Sequence, residues 1–408
     1  MDRTERQKFG VNKWIASGCK GTLQWSTGVG KTRAAMMAIK GYVTKNKNKK
    51  IVIIVPTDHL KKQWILELNE RHLLEYTSVE IINSAIKINS KVDFLIIDEC
   101  HRIPSDSFYA VFNKRNPTIV LGLSATFSRL DGRHELLNRY CPVCDTITIT
   151  EALENGWLSP YKEYKVLIEP SDLDTYKALN AEFIDTFSIF EFNFNTAMSC
   201  LTNIIFRRQY GKQLGIPAKE MDAIVFTWNR ALKGRKSYVM NHEDKLRITR
   251  KILESRPQCK AITFSATKAQ AEKIGVGYVV HSGKTKKKNS LTIEEFNKRE
   301  TGVINTAKSL DEGADVPGLN LAIILCNSSS PTQKTQRVGR VIRYQEGKNA
   351  EVFTLVIKGT MEEGWYQTSS SGKKYMEINE AELDEVLARR TVDSVEKEAK
   401  SVDTLFRL

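Results

Sequence analysis

Short, continuous apolar runs alternate with helix-like stretches along most of this chain. Residues 51–56 (Ile-Val-Ile-Ile-Val-Pro), 93–98 (Asp-Phe-Leu-Ile-Ile-Asp) and 118–123 (Thr-Ile-Val-Leu-Gly-Leu) are runs of strand length. Being apolar at nearly every position, they predict strands buried on both faces of a parallel sheet. The pattern returns at Lys260-Ala-Ile-Thr-Phe-Ser, Gly302-Val-Ile-Asn-Thr, Leu321-Ala-Ile-Ile-Leu and Val352-Phe-Thr-Leu-Val-Ile. The expected architecture is α/β, with two tandem parallel-sheet domains over residues 1–155 and 240–360 and a helical connecting segment over 156–239. In that segment Tyr176, Leu179, Phe183, Phe187 and Phe190 recur at helical spacing. The stripe is either a packed face or an aromatic surface on which bases stack. Residues 361–408 read as an acidic, helical tail with Leu383 and Leu387 on one side. Lys45–Lys50 and Lys284–Lys288 read as loops, either solvated turns or nucleic-acid contacts.

Composition narrows the class. With 41% hydrophobic and 27% charged residues over 408, there is ample material for two cores, and disorder throughout is excluded. No apolar run approaches the ~18–20 residues of a membrane helix. Met1-Asp-Arg-Thr-Glu-Arg leads into no signal-peptide stretch. Cys141-Pro-Val-Cys144 is the only CxxC among seven cysteines and has no second pair at zinc-finger spacing. A soluble protein with reduced thiols is expected, cytoplasmic, in the host cytoplasm if phage-encoded. The net charge is +14; residues 361–408 carry seven basic and eleven acidic side chains, net −4, leaving +18 on residues 1–360. Such an excess suits a polyanionic partner, because Lys and Arg displace counterions from phosphates.

Leu23-Gln-Trp25-Ser-Thr27-Gly28-Val29-Gly30-Lys31-Thr32 leads into the helix-like Arg33-Ala-Ala-Met-Met-Ala-Ile. Glycines let backbone N–H groups approach phosphate oxygens, and the following helix presents its positive end. Lys31 would reach the β- and γ-phosphates of ATP, and the Thr32 hydroxyl would bind Mg²⁺. The usual G-x-x-x-x-G-K-[ST] pattern has glycine where Trp25 stands. Asp98-Glu99-Cys100-His101 closes a buried strand 67 residues beyond Lys31. Open parallel sheets hold ligands at the carboxyl ends of their strands. There Asp98 can hold Mg²⁺ through its hydration shell and Glu99 can deprotonate the attacking water. In Gln336-Arg337-Val338-Gly339-Arg340-Val341-Ile342-Arg343, two arginines three apart would share one helical face and aim at one point.

These motifs, in this order and spacing, resemble superfamily 2 helicases of the DEAD/DEAH-box group, with a DECH variant, over about residues 4–360. The resemblance implies two RecA-like domains with ATP between them and nucleic acid across both. It implies arginine fingers at Arg340 and Arg343 within the Gln336 motif. Gln7, 24 residues before Lys31, stands where the family reads adenine. Thr306-Ala-Lys-Ser-Leu-Asp311-Glu312-Gly313-Ala-Asp315 resembles the motif touching both ligands, with Gly313 and Asp315 on the nucleotide side and Thr306 on the nucleic-acid side. Pro56-Thr57, with Leu60 and Gln63-Trp64, resembles the motif gripping a strand backbone, whose phosphate contacts carry little sequence information. His101, Ser124 and Thr126 would couple the two sites. Gly122-Leu-Ser124-Ala125-Thr126-Phe-Ser-Arg129-Leu-Asp131-Gly132 is similar to the motif of DNA-repair and phage recombination helicases, although those have proline where Phe127 and Ser26 stand here.

The function so implied is an ATP-dependent DNA helicase or translocase acting in replication, recombination or repair. An RNA helicase and a nucleic-acid clamp with ATPase but no unwinding are the alternatives; oligomeric state is not encoded in any motif. Lys31→Ala is expected to abolish ATP turnover, because the γ-phosphate loses its cationic partner. Hydrolysis near the unmodified rate in that variant would refute the nucleotide-site assignment.

Overall fold

The structure is a computed structural model and describes residues 1–46, 50–102, 105–125, 134–307 and 316–389. The first lobe comprises α1 (Arg3–Ala16), β1 (Lys20–Trp25), α2 (Lys31–Lys45), β2 (Ile51–Val55), α3 (Asp58–Glu70), β3 (Thr77–Ile81) and α4 (Ile82–Ala85). It continues through β4 (Phe94–Asp98), α5 (Ser105–Arg115), β5 (Ile119–Ser124), α6 (His134–Tyr140), β6 (Val143–Ile147) and α7 (Ile149–Glu154). Then come β7 (Tyr161–Ile168) and four helices, α8 (Leu173–Ser188), α9 (Phe194–Thr202), α10 (Ile204–Gln213) and α11 (Ala218–Asn241). The second lobe adds α12 (Glu243–Glu254), β8 (Lys260–Ser265), α13 (Lys268–Lys273), β9 (Tyr278–His281), α14 (Lys286–Asn297) and β10 (Gly302–Ala307). It closes with β11 (Leu321–Ile324), α15 (Pro331–Val341), β12 (Ala350–Ile357), α16 (Met361–Ser369) and β13 (Met376–Ile378).

Both sheets are parallel: β3-β2-β4-β5-β1-β6 in the first lobe and β13-β7-β12-β11-β8-β10-β9 in the second. The fully apolar runs occupy the middle. β2, β4, β8, β11 and β12 are buried at every position, covered by helices on both faces as parallel sheets require. In the first sheet β5 alone separates β1 from β4. The loop after β1 and the acids closing β4 therefore emerge side by side at the carboxyl edge.

The region read as a helical connection divides in two. Residues 161–168 pair over their whole length with β12, so the second sheet begins there and not at residue 240. Glu163 and Lys165 break the apolar run of β7, and the fold pairs them with Lys334, which is buried, at 2.5 Å and with the exposed Glu377 at 2.7 Å. The helices α8–α11 form a bundle with its own core of Phe190, Ala197, Cys200, Met221, Val225 and Trp228. Phe183 and Phe187 pack against that core, and Tyr176 is also buried, so the aromatic stripe is a packed face. Residues 361–389 of the expected tail are likewise part of the lobe, while 390–408 lie outside the described residues: β13 joins the sheet beside β7, and Leu383 and Leu387, on the helical residues 380–389, enter the second core. Lys286–Lys288 open α14 behind the Thr285 cap and do not form a loop. Among the described residues no helix is long and apolar enough to cross a membrane.

One buried ion pair ties the second lobe together. Lys245 of α12 and Glu362 of α16 are both 0% exposed, 2.6 Å apart. Glu362 also accepts from Asn327 and from the Ile357 amide, while Lys245 donates to the Leu325 carbonyl. Removing one partner strands the other charge, at a cost of about 3–5 kcal/mol. Glu362→Ala is expected to lower the melting temperature of this lobe by on the order of 10 °C. The Lys245→Met/Glu362→Met pair should recover most of that loss, and an unchanged melt in the single variant would count against the pair's role.

Candidate active site between the lobes

The phosphate loop follows β1 and ends at Gly30, whose φ of +102° caps α2 in a left-handed conformation. A Cβ there would sit 2.3 Å from the Gln7 amide nitrogen, so glycine is required on steric as well as conformational grounds. Trp25 shows why the usual glycine is dispensable at that position. Its side chain is buried, with Nε1 donating to Asp145 at 2.8 Å, and only its carbonyl faces the loop, where it accepts from Lys31 Nζ at 2.9 Å.

A cavity of about 420 Å³ lies between the lobes. From the first lobe it takes Thr27, Gly28, Gly30, Lys31, Thr32, Asp98 and Glu99; from the second, Gln336, Arg340 and Arg343. The lobes meet closely, glycine backbone of each against side chains. A Cβ on Gly339 of α15 would lie 2.6 Å from Thr27 Cβ, and one on Gly28 would lie 2.9 Å from Leu158 and 3.6 Å from Arg343. The two arginines reach the cavity by different routes. Arg340 projects from α15 one turn after Gln336, but the helix ends at Val341. Arg343 lies beyond it, in an antiparallel bridge with Leu158 braced by Ser159, whose amide donates to the Ile342 carbonyl and whose hydroxyl donates to that of Arg343. The shared helical face expected from spacing is thus replaced by a helix and a bridge converging on one point.

The charges are held in a poorly hydrated cleft. Burial, and then the adjacent Glu99, push the Asp98 carboxyl up to about 6, while burial lowers Lys31 against the pull of both acids. Burial also lowers Arg343. Asp98 Oδ2 accepts from Trp64 Nε1 at 2.8 Å, and Oδ1 accepts from the Glu99 amide. Glu99 has φ +48°, an uncommon conformation for a side-chain-bearing residue that marks functional turns. Its Oε2 is buried without a hydrogen-bond partner and lies 3.4 Å from His101 Nδ1, which is in turn 2.7 Å from Ser124 Oγ. Thr32 and Asp98 line the same wall, and a hydroxyl beside a carboxylate at a strand end offers the oxygen donors a hard divalent cation takes. The residues present therefore fit Mg²⁺.

Other expected site residues lie elsewhere. Gln7 and Val29 sit behind the loop, Gln7 Nε2 donating to the Val29 carbonyl at 2.7 Å; Gln7 does not line the cavity. Trp64 is 2% exposed beside Asp98 and presents nothing to a strand. Thr306 is 1% exposed within β10, its hydroxyl donating to the Thr263 carbonyl, so it too presents nothing. Pro56 and Thr57 are half-buried, and Thr57 caps α3. Thr126, Gly313 and Asp315 lie outside the described residues. Conversely, Arg3 lines the cavity and donates to the carbonyls of Gly28 and Val29. Its i, i+4 spacing from Gln7 was the available signal. Leu60 and Gln63, expected with the strand-gripping motif, line this cavity instead, and Tyr344 lines it with no signal beyond its closeness to Arg343.

A phosphate loop, an acid pair and arginines from a second parallel-sheet lobe define a two-lobed P-loop ATPase. The helicase conserved C-terminal domain family matches residues 244–345, and the type III restriction enzyme res subunit family matches 2–90 and 72–129. The chain is 25% identical over 381 residues to the DNA 3'-5' translocase XPB2 of Sulfurisphaera tokodaii, covering 88% of this chain and 82% of that one. It is 25% identical over 378 residues to a protein of Sulfolobus islandicus filamentous virus named "Putative helicase 22", covering 83% of this chain and 60% of that one. In fold it is similar to S. cerevisiae Dbp5 bound to RNA and ADP BeF3 (TM-score 0.61, 12% identity, 94% of this chain and 91% of that). A type ISP restriction-modification enzyme, LlaBIII, bound to DNA is similar over 93% of this chain and 31% of its own (TM-score 0.59, 15% identity). The chain belongs to the superfamily 2 helicases, which are nucleic-acid-dependent ATPases.

The contact of Gly339 with Thr27 yields a prediction. Gly339→Ala would wedge the lobes apart by a methyl group, and turnover is expected to fall at least tenfold, since misplacement of about 1 Å costs on the order of 10²-fold. Thermal melting should change little. Gly364→Ala, whose Cβ would meet no atom within 4 Å, is the control expected to alter neither. Full turnover in Gly339→Ala would mean that the close approach is dispensable.

Proposed function

We propose that the chain hydrolyses ATP in the interlobe cavity and uses the resulting opening and closing to move along or separate DNA strands. The observation carrying this reading is that Lys31, Asp98 and Glu99 of one lobe and Arg340 and Arg343 of the other line one cavity. Lys31 and the loop amides hold the β- and γ-phosphates, with Gly30 permitting the approach. Glu99 takes the proton of the attacking water, its buried, unpartnered oxygen being free for that bond. Mg²⁺ at Thr32 and Asp98 would neutralise phosphate charge. Trp64 holds Asp98 in place, and His101 and Ser124 connect Glu99 to the end of β5. Arg340 and Arg343 meet the charge that develops on the γ-phosphoryl group only when the lobes are closed, so hydrolysis reports closure. Gln7, packed against the loop, serves adenine recognition by fixing that loop.

DNA is favoured because the relative from Sulfurisphaera tokodaii, matched over most of both chains, is a DNA translocase, and because the Gly122–Gly132 stretch is similar to DNA-repair helicases. The +18 excess on residues 1–360 suits backbone contacts independent of sequence. The test is ATP turnover over single-stranded, forked and duplex DNA and structured RNA, with strand displacement on the fork. DNA should stimulate turnover at least tenfold more than RNA. Stronger stimulation by RNA would assign an RNA helicase, and turnover without displacement or translocation would assign a clamp. In the same assay Arg340→Ala should lower DNA-stimulated turnover at least a hundredfold with little loss of nucleotide affinity, arginine fingers being worth about 10³–10⁵ in rate. Unimpaired turnover would show that the second lobe does not complete the site.

A further inference from the structure

A second cavity, of about 410 Å³, opens in the second lobe where the last turns of α11 overhang the carboxyl ends of β8 and β11. Lys233, Lys236 and Ser237 of α11 form one wall, repeating at helical spacing. The opposite wall is Ser265, Thr267 and Arg337. The chemistry is one-sided. Among the described residues no carboxylate lines the cavity, and Lys233 and Lys236 are exposed with no carboxylate partner. Arg337 holds its place by donating to the Cys326 carbonyl and lying over the Phe264 ring. Ser265 is 1% exposed, yet its hydroxyl has no hydrogen-bond partner. A buried donor left unsatisfied in a native site is costly and calls for a ligand or water to meet it.

We propose that this cavity binds a phosphate of the nucleic-acid strand, so that the helical insert α8–α11 supplies part of the strand grip through Lys233 and Lys236. The inference rests on the nucleic-acid reading above and extends it to an element with no helicase motif. Two exposed cations, a neutral buried donor and a lining without carboxylates among the described residues suit a phosphodiester group. The location also explains how grip would be tied to hydrolysis. Arg337 and Gln333 of α15 face this cavity, while Gln336 and Arg340 of the same helix face the nucleotide cavity. A strand phosphate that shifts α15 toward α11 moves the arginine finger with it.

The experiment is equilibrium binding of a labelled single-stranded oligonucleotide at several salt concentrations, to the unmodified chain and to Lys233→Gln/Lys236→Gln. Each neutralised phosphate on a single strand contributes about 0.7 to the slope of log affinity against log salt. The variant should lose roughly 1.4 of slope and about tenfold in affinity at low salt. Ser265→Ala, which removes a neutral donor, should lose severalfold in affinity with no change of slope. Lys8→Gln/Lys40→Gln removes the same charge from exposed sites of the first lobe and should retain the slope; an equal loss there would reduce the effect to net charge and overturn the site. Melting temperatures confirm that each variant is folded. An unchanged slope and affinity in Lys233→Gln/Lys236→Gln, with the unmodified chain binding strands, overturns this inference alone. Absence of strand binding by the unmodified chain instead overturns the nucleic-acid reading. Inorganic phosphate, titrated at constant ionic strength, separates the remaining source. If it raises the melting temperature of the unmodified chain but not of the variant, and strand binding is the same in both, the cavity takes free phosphate and the strand assignment falls.

Discussion

The cleft depends on one close approach, the backbone of α15 against the phosphate loop. Gly339 over Thr27 and Gly28 under Leu158 leave no room for a side chain at either point. This contact brings Arg340 and Arg343 within the cavity that holds Lys31, and it does so in a poorly hydrated space. Arg343 disfavours the charge on Lys31, and burial disfavours both. Arg3, Lys31, Arg340 and Arg343 outnumber Asp98 and Glu99 by two charges around one cavity. Closure therefore concentrates like charge unless a polyanion stands between the lobes. On the proposed reading a triphosphate there would convert that repulsion into attraction.

The acid pair shows how two neighbouring carboxylates are given different surroundings by one turn of chain. Asp98 ends a buried strand and is fixed by Trp64 and by the next amide, whereas Glu99 turns back in a left-handed conformation toward His101. One is restrained for a structural task and the other keeps an oxygen available. Trp64 stood in the sequence among the residues expected to grip a strand, and its contact with Asp98 is visible only in three dimensions because it spans 34 residues and two elements.

Legibility followed burial. The interior strands β2, β4, β5, β8, β11 and β12 were readable as continuous apolar runs because helices cover both faces. The edge strands β3, β6 and β9 were not, since half-exposed strands such as Thr77–Ile81 carry polar residues that interrupt the run. β7 failed for a different reason: its buried Glu163 and Lys165 look like surface residues until Lys334 and Glu377 arrive from far along the chain. At the site, motif chemistry named the expected phosphate loop, acids and arginines, residues of which the fold brings to one cavity. Spacing alone misjudged Arg343, because nothing local announces that α15 stops at Val341. The burial of Thr306 was not legible, because a threonine inside a strand and one at its rim have the same local pattern.

The place of β7 in the second sheet also bears on how the chain is made. Tyr161 pairs with Ala350, 189 residues later, and nothing earlier than β12 or β13 can hydrogen-bond that strand in its native register. At a synthesis rate of about 5–20 residues per second, β7 waits on the order of 10–40 s on the ribosome with unpaired edges. In that interval α8–α11 emerge and can close around Trp228 and Phe190 without help from the sheet. The alternating charges of Lys162, Glu163 and Lys165 suit such a delay, since charged positions discourage a solitary strand from pairing with another chain. The same charges that hide this strand from a reading of hydrophobic pattern thus guard the nascent protein against aggregation until its partner is synthesised.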